Sequence, residues 1–321
     1  MIKPTITQKS YVRPLLSKKG VDKFLEMLSI KKWLSEVLQI DFLNQFNTLD
    51  RKYKHLIKII YRAEKDCDNI YNENTYDVDT HRHPNYKTDQ LRITLRNEIM
   101  AECINQVRLD NDDDVIKGKG GIRPLGYDTN KDKTIFFIVG SPASGKSTIA
   151  KKFADSSKAM MLDTDIIRRK FPEFKTSIKG ASLLSKEANE IIKEMLWDLC
   201  ERGHNIVYQI VGQEYDKLLA LTQSVSKYGY EIVIALPELD REIATRRALK
   251  RFIETDRYVS LPRIFDEYSN DAIKTFYKML CYKKDYGYIA LNTNVPINQK
   301  PTVEYVNKRA QSVLKRYEIM L

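Results

Sequence analysis

The sequence predicts an α/β protein with a mostly parallel, three-layer sheet, preceded by an all-helical region. Three observations carry that expectation. Beyond residue 130, short apolar runs alternate with amphipathic stretches, the pattern of parallel strands covered by helices on both faces. A glycine-rich turn pattern stands directly behind the first of those runs. In the first 110 residues the apolar positions recur at intervals of three and four, which is a helical period.

Taken in order, Val21, Phe24, Leu25 and Leu28 predict one helix, and Trp33, Val37 and Leu38 a second. A third is predicted over about 50–66, followed by an irregular polar stretch from Cys67 to Lys87. Leu91, Leu95, Ile99, Met100, Ile104 and Val107 line up as the apolar stripe of a helix from Asp89 to about Leu109. Between Asp110 and Asp132 the chain collects acidic, glycine and Arg-Pro turn chemistry with no apolar period. The sequence therefore divides near residue 130, into a helical N-terminal region ending in a linker (1–130) and a second domain (131–321). Strands are expected at Thr134–Val139, Ala159–Leu162, Asn205–Val211, Glu231–Ala235 and Tyr288–Leu291. The clearest helix between them is Lys186–Arg202, with Ile191, Ile192, Met195, Leu196 and Leu199 on one side.

Composition limits the function classes. With 42% hydrophobic and 30% charged residues, the chain is neither a disordered tail nor a collagen-like fibre. Cys67, Cys103, Cys200 and Cys281 stand far apart with no CxxC pair, which argues against a disulfide framework or a zinc site and for reduced packing residues. No run of about 18 apolar residues exists and the N-terminus lacks a signal-peptide core, so a cytoplasmic protein with no membrane partner is expected. Export of an effector by a specialised route is not addressed by that test. The formal charge is +11, and most of the excess lies beyond residue 132, where it can attract nucleic acid or phosphate-rich small molecules or simply maintain solubility.

Behind the run Thr134–Val139 stands Gly140-Ser141-Pro142-Ala143-Ser144-Gly145-Lys146-Ser147-Thr148, which fits GxxxxGK[ST] and opens a helix at Lys146. This is a P-loop in its proper strand-to-helix context. Its glycines let successive N–H groups turn toward phosphate oxygens, Lys146 reaches the β and γ phosphates, and Ser147 ligates Mg²⁺. ATP and Mg²⁺ are the cofactors this implies. The next strand leads into Asp163-Thr164-Asp165. Two carboxylates at the C-terminal end of a neighbouring strand lie where such sheets bind ligands. One suits a general base, the other a metal or substrate contact, and the alternative for either is a helix cap.

With Asp163-Thr-Asp165, the element Phe171-Pro-Glu-Phe174, the long helix Lys186–Gly203 and the strand Asn205-Ile-Val-Tyr-Gln209, the chain resembles the zeta toxins and related P-loop kinases over about residues 133–260. The resemblance implies transfer of the ATP γ-phosphate to a hydroxyl of a nucleotide sugar such as UDP-N-acetylglucosamine, or of NAD in an effector branch, with Asp165 as catalytic base. It also implies acceptor contacts near Asp163, Arg168, Gln209 and Arg247, and metal contacts at Ser147 and Asp163. Where the toxins carry Glu-Gly-Thr, this chain has Gln209-Ile210-Val211-Gly212-Gln213. Arg247 and Arg251, four apart on one helix face, and Arg257 resemble the family's lid arginines; Arg251 and Arg257 are the candidates for the transferring phosphoryl group. Asn292 and Asn294 lie where P-loop kinases often meet adenine. His81 and His83, in a loop with no third ligand, read as surface residues.

Two other classes stay open on sequence alone. The basic run Arg241–Arg257 also suits a kinase of polynucleotides or modified DNA bases. The helical N-terminal region suits a nucleotide-dependent switch, docking a protein partner or covering the site in cis.

Overall fold

The computed structural model describes residues 30–38, 51–69, 73–109, 118–126, 128–175, 180–255, 258–296 and 299–321. The helix expected over Val21–Leu28 and the candidate Arg257 lie outside them. The chain forms two compact units, residues 1–64 and 65–321. In the first, a π-helical turn at Trp33–Val37 precedes most of α1 (Arg51–Asn69). Trp33, Leu34, Leu38, Ile57, Ile60 and Ala63 are buried there.

The second unit begins with two 3₁₀ turns at Asp79–His81 and Pro84–Tyr86 and then α2 (Asp89–Asn105), whose N-terminus is capped by the Thr88 hydroxyl. The series continues β1 (Thr134–Val139), α3 (Lys146–Ser156), β2 (Met160–Leu162), α4 (Thr164–Lys170), α5 (Ser185–Glu201), β3 (Ile206–Ile210), α6 (Tyr215–Ser226) and β4 (Glu231–Glu238). It ends with α7 (Arg241–Thr255), α8 (Ser269–Tyr282), β5 (Gly287–Asn292), β6 (Thr302–Val306) and α9 (Lys308–Arg316). The strand order is β2-β3-β1-β4-β5-β6, with β6 antiparallel to β5 and every other pairing parallel. All five expected strands are present. β6 escaped the sequence reading because four of its five residues are exposed, which erases the apolar run by which its neighbours announce themselves.

Strand side chains alternate between faces, and two adjacent phenylalanines show what each face carries. Phe136 meets Phe153 of α3 edge-on at 5.1 Å and Tyr317, just past α9, at 6.3 Å. Phe137 points the other way, toward Tyr208 at 6.0 Å. In that same row across the sheet, Tyr288 meets Phe276 of α8 at 5.7 Å. Helices thus cover both faces, and every residue of β1 is buried. The parallel order also brings the C-terminal ends of β1, β2 and β3 to one edge of the sheet.

The stretch before β1 differs from its expected grouping. Leu95, Ile99 and Cys103 of α2 belong to the same core as the sheet, so α2 packs as part of the sheet domain. The stripe of α2 is also rotated. Leu91 is 47% exposed and Arg92 is fully buried, because Arg92 has carboxylates to meet. Its Nε and Nη2 donate to the two oxygens of Glu187 at 2.8 and 2.7 Å, and its Nη1 donates to Glu173 at 2.7 Å. The guanidinium stacks over Phe171 at 4.6 Å. Arg96 and the Thr75 hydroxyl add hydrogen bonds to Glu187 at 2.6 Å each.

A paired charge removed from water is costly to strand. Arg92→Leu, leaving Glu187 and Glu173 buried without their main partner, should therefore lower the unfolding free energy by about 3–5 kcal/mol in urea denaturation. Burial pushes the Glu187 carboxyl up, but the hydrogen bonds and charge of Arg92, with Thr75 and Arg96, outweigh it and hold the group below the usual glutamate range. A depressed carboxyl stabilises the fold above its unfolded pKa, and that contribution disappears as pH falls through the folded value. The urea midpoint should drop on acidification from about pH 7 to about pH 4 by more in the wild type than in Glu187→Gln.

Candidate active site

The P-loop begins where β1 ends. The Gly140 N–H donates to the carbonyls of Ile210 and Val211, tying the loop to the end of β3. A Cβ on Gly140 would stand 2.9 Å from Ser144 Oγ and 3.3 Å from Pro237 Cγ, so a larger residue here would push the Ser144 hydroxyl aside. Gly145, at φ 91°, supplies the left-handed step that starts α3. Ala143 takes φ 64°, an arrangement costing a non-glycine residue on the order of 1 kcal/mol, the kind of strain that collects at functional loops. Ser144 Oγ is buried with no hydrogen-bond partner among the described residues. Lys146 Nζ curls over the loop and donates to the carbonyls of Gly140 and Ser141, both at 2.7 Å. Phosphate oxygens, being anionic, make shorter and stronger acceptors for that ammonium than neutral carbonyls do.

β2, separated from β1 by β3, ends at the same edge of the sheet and delivers the carboxylate pair. Asp163 is the N-cap of α4: its Oδ1 accepts from the Asp165 N–H at 2.9 Å. The cap and the site are therefore one residue. Asp165, in the first turn, accepts from Arg168 Nη1 at 3.0 Å, and Arg168 Nη2 donates to Ser185 Oγ at 3.0 Å. Arg168 Nε is buried with no hydrogen-bond partner among the described residues. Gln209, near the end of β3 and 8% exposed, bridges the two halves. It accepts from Ser147 Oγ at 3.1 Å and donates from Nε2 to Asp163 Oδ2 at 3.1 Å.

The electrostatics show that these charges converge. Burial lowers the Lys146 pKa to about 8; Asp163 and Asp165 pull it back up, and Arg251 pushes it further down. Burial, then the neighbouring Asp165 carboxylate, raises Asp163 above the usual aspartate range, against the Asp165 N–H and the charges of Arg169 and Arg168. Arg251 of α7 is thus within electrostatic reach of the P-loop lysine. Arg247, one turn earlier, holds the loop after β5 instead, donating to the carbonyls of Thr293 and Val295 at 3.2 and 2.8 Å. That loop lies next to the P-loop, since a Cβ on Gly145 would stand 3.9 Å from Thr293 Cγ2. Asn292 donates to Glu304 and Asn294 to Asp240 at its margin.

Elsewhere, His81 lies 3.5 Å from Glu73 and His83 Nδ1 accepts from Asn85 N–H within its own turn. Among the described residues, no group of three His, Cys, Asp or Glu forms a metal cluster. The oxygens at the loop fit magnesium: Ser147 Oγ and the Asp163 carboxylate are hard donors, and magnesium takes few protein ligands because phosphates and water supply the rest. Sequence reasoning missed Ser185, Thr293 and the Arg92–Glu173–Glu187 group, which ties α2 to α5 and to the turn after α4. Its only trace in the sequence is an arginine three and seven residues before Leu95 and Ile99, on what becomes the buried face of α2.

A parallel sheet with a P-loop at the end of β1 and an Asp-x-Asp pair at the end of β2 defines a P-loop kinase. Residues 123–281 match the zeta toxin family. Among solved structures it is similar to one from the PezAT chromosomal toxin–antitoxin system of Streptococcus pneumoniae, at 15% identity and TM-score 0.49, covering 72% of this chain and 88% of that one. It is also similar to the AvrRxo1-ORF1:AvrRxo1-ORF2 complex with ATP, at 14% identity and TM-score 0.45, covering 74% of each chain. Deoxyadenosine kinase from M. mycoides with bound dATP matches at 12% identity and TM-score 0.35, covering 58% of this chain and 100% of that one. No curated protein sequence matches the chain. Among the described residues, no helix is long and apolar enough to cross a membrane.

Proposed function

We propose that this kinase transfers the γ-phosphate of ATP to a hydroxyl of a nucleotide-like small molecule, with Asp165 as the base. The observation that carries this reading is the joining of the P-loop to the Asp-x-Asp pair: Gln209 links Ser147 to Asp163, and Asp163 caps the helix that carries Asp165. Phosphoryl transfer asks little covalent chemistry of a protein and much positioning and charge stabilisation. Lys146 and the loop N–H groups hold the phosphates, and Arg251 faces the charge that spreads over the transferred group. Asp165, 28% exposed in its side chain, is open to an acceptor hydroxyl and accepts its proton, while Arg168 holds the carboxylate in place. Ser147 and Asp163 are the residues that would hold magnesium, which when bound neutralises phosphate oxygens.

The acceptor is tested by transfer from γ-labelled ATP with Mg²⁺ across nucleotide sugars, NAD, nucleosides and DNA or RNA oligonucleotides. Label on a nucleotide sugar or NAD supports the proposal. Label only on oligonucleotides, with binding that falls about one log unit per contacted phosphate as salt rises, replaces it with a polynucleotide kinase. ATP binding without transfer to any acceptor replaces it with a nucleotide-dependent switch. Cis inhibition by the N-terminal region is tested by deletion ahead of residue 65, because a deletion through residue 125 removes α2 and the Arg92 ion pairs from the sheet's own core.

A further inference from the structure

In P-loop proteins the loop hydroxyl usually shares its magnesium with a carboxylate elsewhere in the fold. Here the strand beside β1 is β3, and the residue in register with Ile138 at its end is Gln209, a neutral amide. We infer that Gln209 is the positioning residue of the metal site: it fixes the Ser147 hydroxyl so that its proton is engaged and its lone pairs are left for a divalent cation. The inference rests on the kinase reading above and adds to it a role for the residue that stands in place of the family's acidic one.

The hydrogen-bond roles follow from which groups can donate. Asp163 Oδ1 is taken by the Asp165 N–H, and its Oδ2 is an acceptor 3.1 Å from Gln209. Only the NH₂ end of the amide can face a carboxylate oxygen, so the amide cannot flip. The carbonyl end then faces Ser147, and the hydroxyl, 3.1 Å away, must donate to it. A hydroxyl has one proton and two lone pairs. With the proton committed to Gln209, the oxygen presents only acceptor character to a cation. Partners of this kind, one step removed from the metal, typically change metal affinity 10- to 100-fold when lost. Because the amide carries no charge, the site leans on the nucleotide's own phosphates to attract the metal.

The test is a titration of Mn²⁺, followed by the loss of its free-ion electron paramagnetic resonance signal, on full-length protein saturated with a non-hydrolysable ATP analogue. Nucleotide affinity in EDTA is measured beside it. Gln209→Met keeps the side-chain volume and removes both hydrogen bonds; it should weaken Mn²⁺ binding about tenfold or more with nucleotide affinity in EDTA within about twofold of wild type. The exchange Gln209→Glu with Asp163→Asn keeps every hydrogen bond, since the amide introduced at the cap position accepts from the α4 N–H through its oxygen and donates through its nitrogen. It should return Mn²⁺ affinity to within about threefold of wild type, or tighter. The inference is overturned if Gln209→Met binds Mn²⁺ like wild type, if its nucleotide affinity in EDTA falls by the same factor as its metal affinity, or if the double exchange stays as weak as Gln209→Met. Wild-type protein that bound no nucleotide under either condition would overturn the kinase reading and this inference together.

Discussion

Lys146→Ala should abolish phosphate transfer, by about a thousandfold or more, without unfolding the protein. The rate loss follows from removing a preorganised charge from a water-poor site, where one neutral donor to developing charge is already worth about 10²–10³. The intact fold follows from the pKa. Burial holds Lys146 down at about 8, so the ligand-free protein bears the cost of an ammonium that its surroundings disfavour, and alanine relieves it. The expected result is a melting temperature equal to or above that of wild type, nucleotide binding weakened, and turnover at background. Retention of turnover would remove the P-loop from the mechanism; a collapse in melting temperature would mean that the lysine is chiefly structural.

Asp165→Asn should lower turnover by about 10²–10⁴, the usual contribution of a positioned general base, while ATP affinity stays within about twofold. The side chain keeps its size and an oxygen for Arg168 Nη1, and the backbone N–H that caps onto Asp163 is untouched. The change therefore isolates the carboxylate's basicity from its geometry. Single-turnover measurement with saturating ATP reads the chemical step directly, and an unchanged rate there would move the base elsewhere, with Asp163 the next carboxylate on the same loop. Together the two substitutions separate donor from acceptor: the first acts on the phosphates, the second on the hydroxyl that receives them.

The sites differ in how they were written into the chain. Gly140 to Thr148 is legible because the loop is made by backbone geometry, and the glycines, lysine and serine that such a geometry needs sit at fixed intervals in the sequence. Asp163 and Asp165 are legible for a similar reason, since a short buried strand must end at them. Arg247 shows where that legibility stops. Its spacing from Arg251 predicts a shared helix face, and both are on α7, yet Arg247 holds the carbonyls of Thr293 and Val295 while Arg251 acts on Lys146. Helical period fixes which residues are neighbours along a helix, not which partner stands opposite each one.

The parallel α/β series, the P-loop and the carboxylate pair are legible in the chain because each depends on contacts within a few residues or on an unbroken apolar run. Tertiary structure alone decided three things. It buried Arg92 and exposed Leu91, because Glu173 and Glu187 approach α2 from residues more than eighty positions away. It placed β6 at the sheet edge, where hydrogen bonding to β5 substitutes for an apolar pattern. It turned Gln209 into a bridge between Ser147 and Asp163. Each is a meeting of polar groups distant in sequence. Hydrogen bonds and ion pairs leave no periodic trace in a chain, whereas apolar burial does, and that difference sets what could be read before the fold was seen.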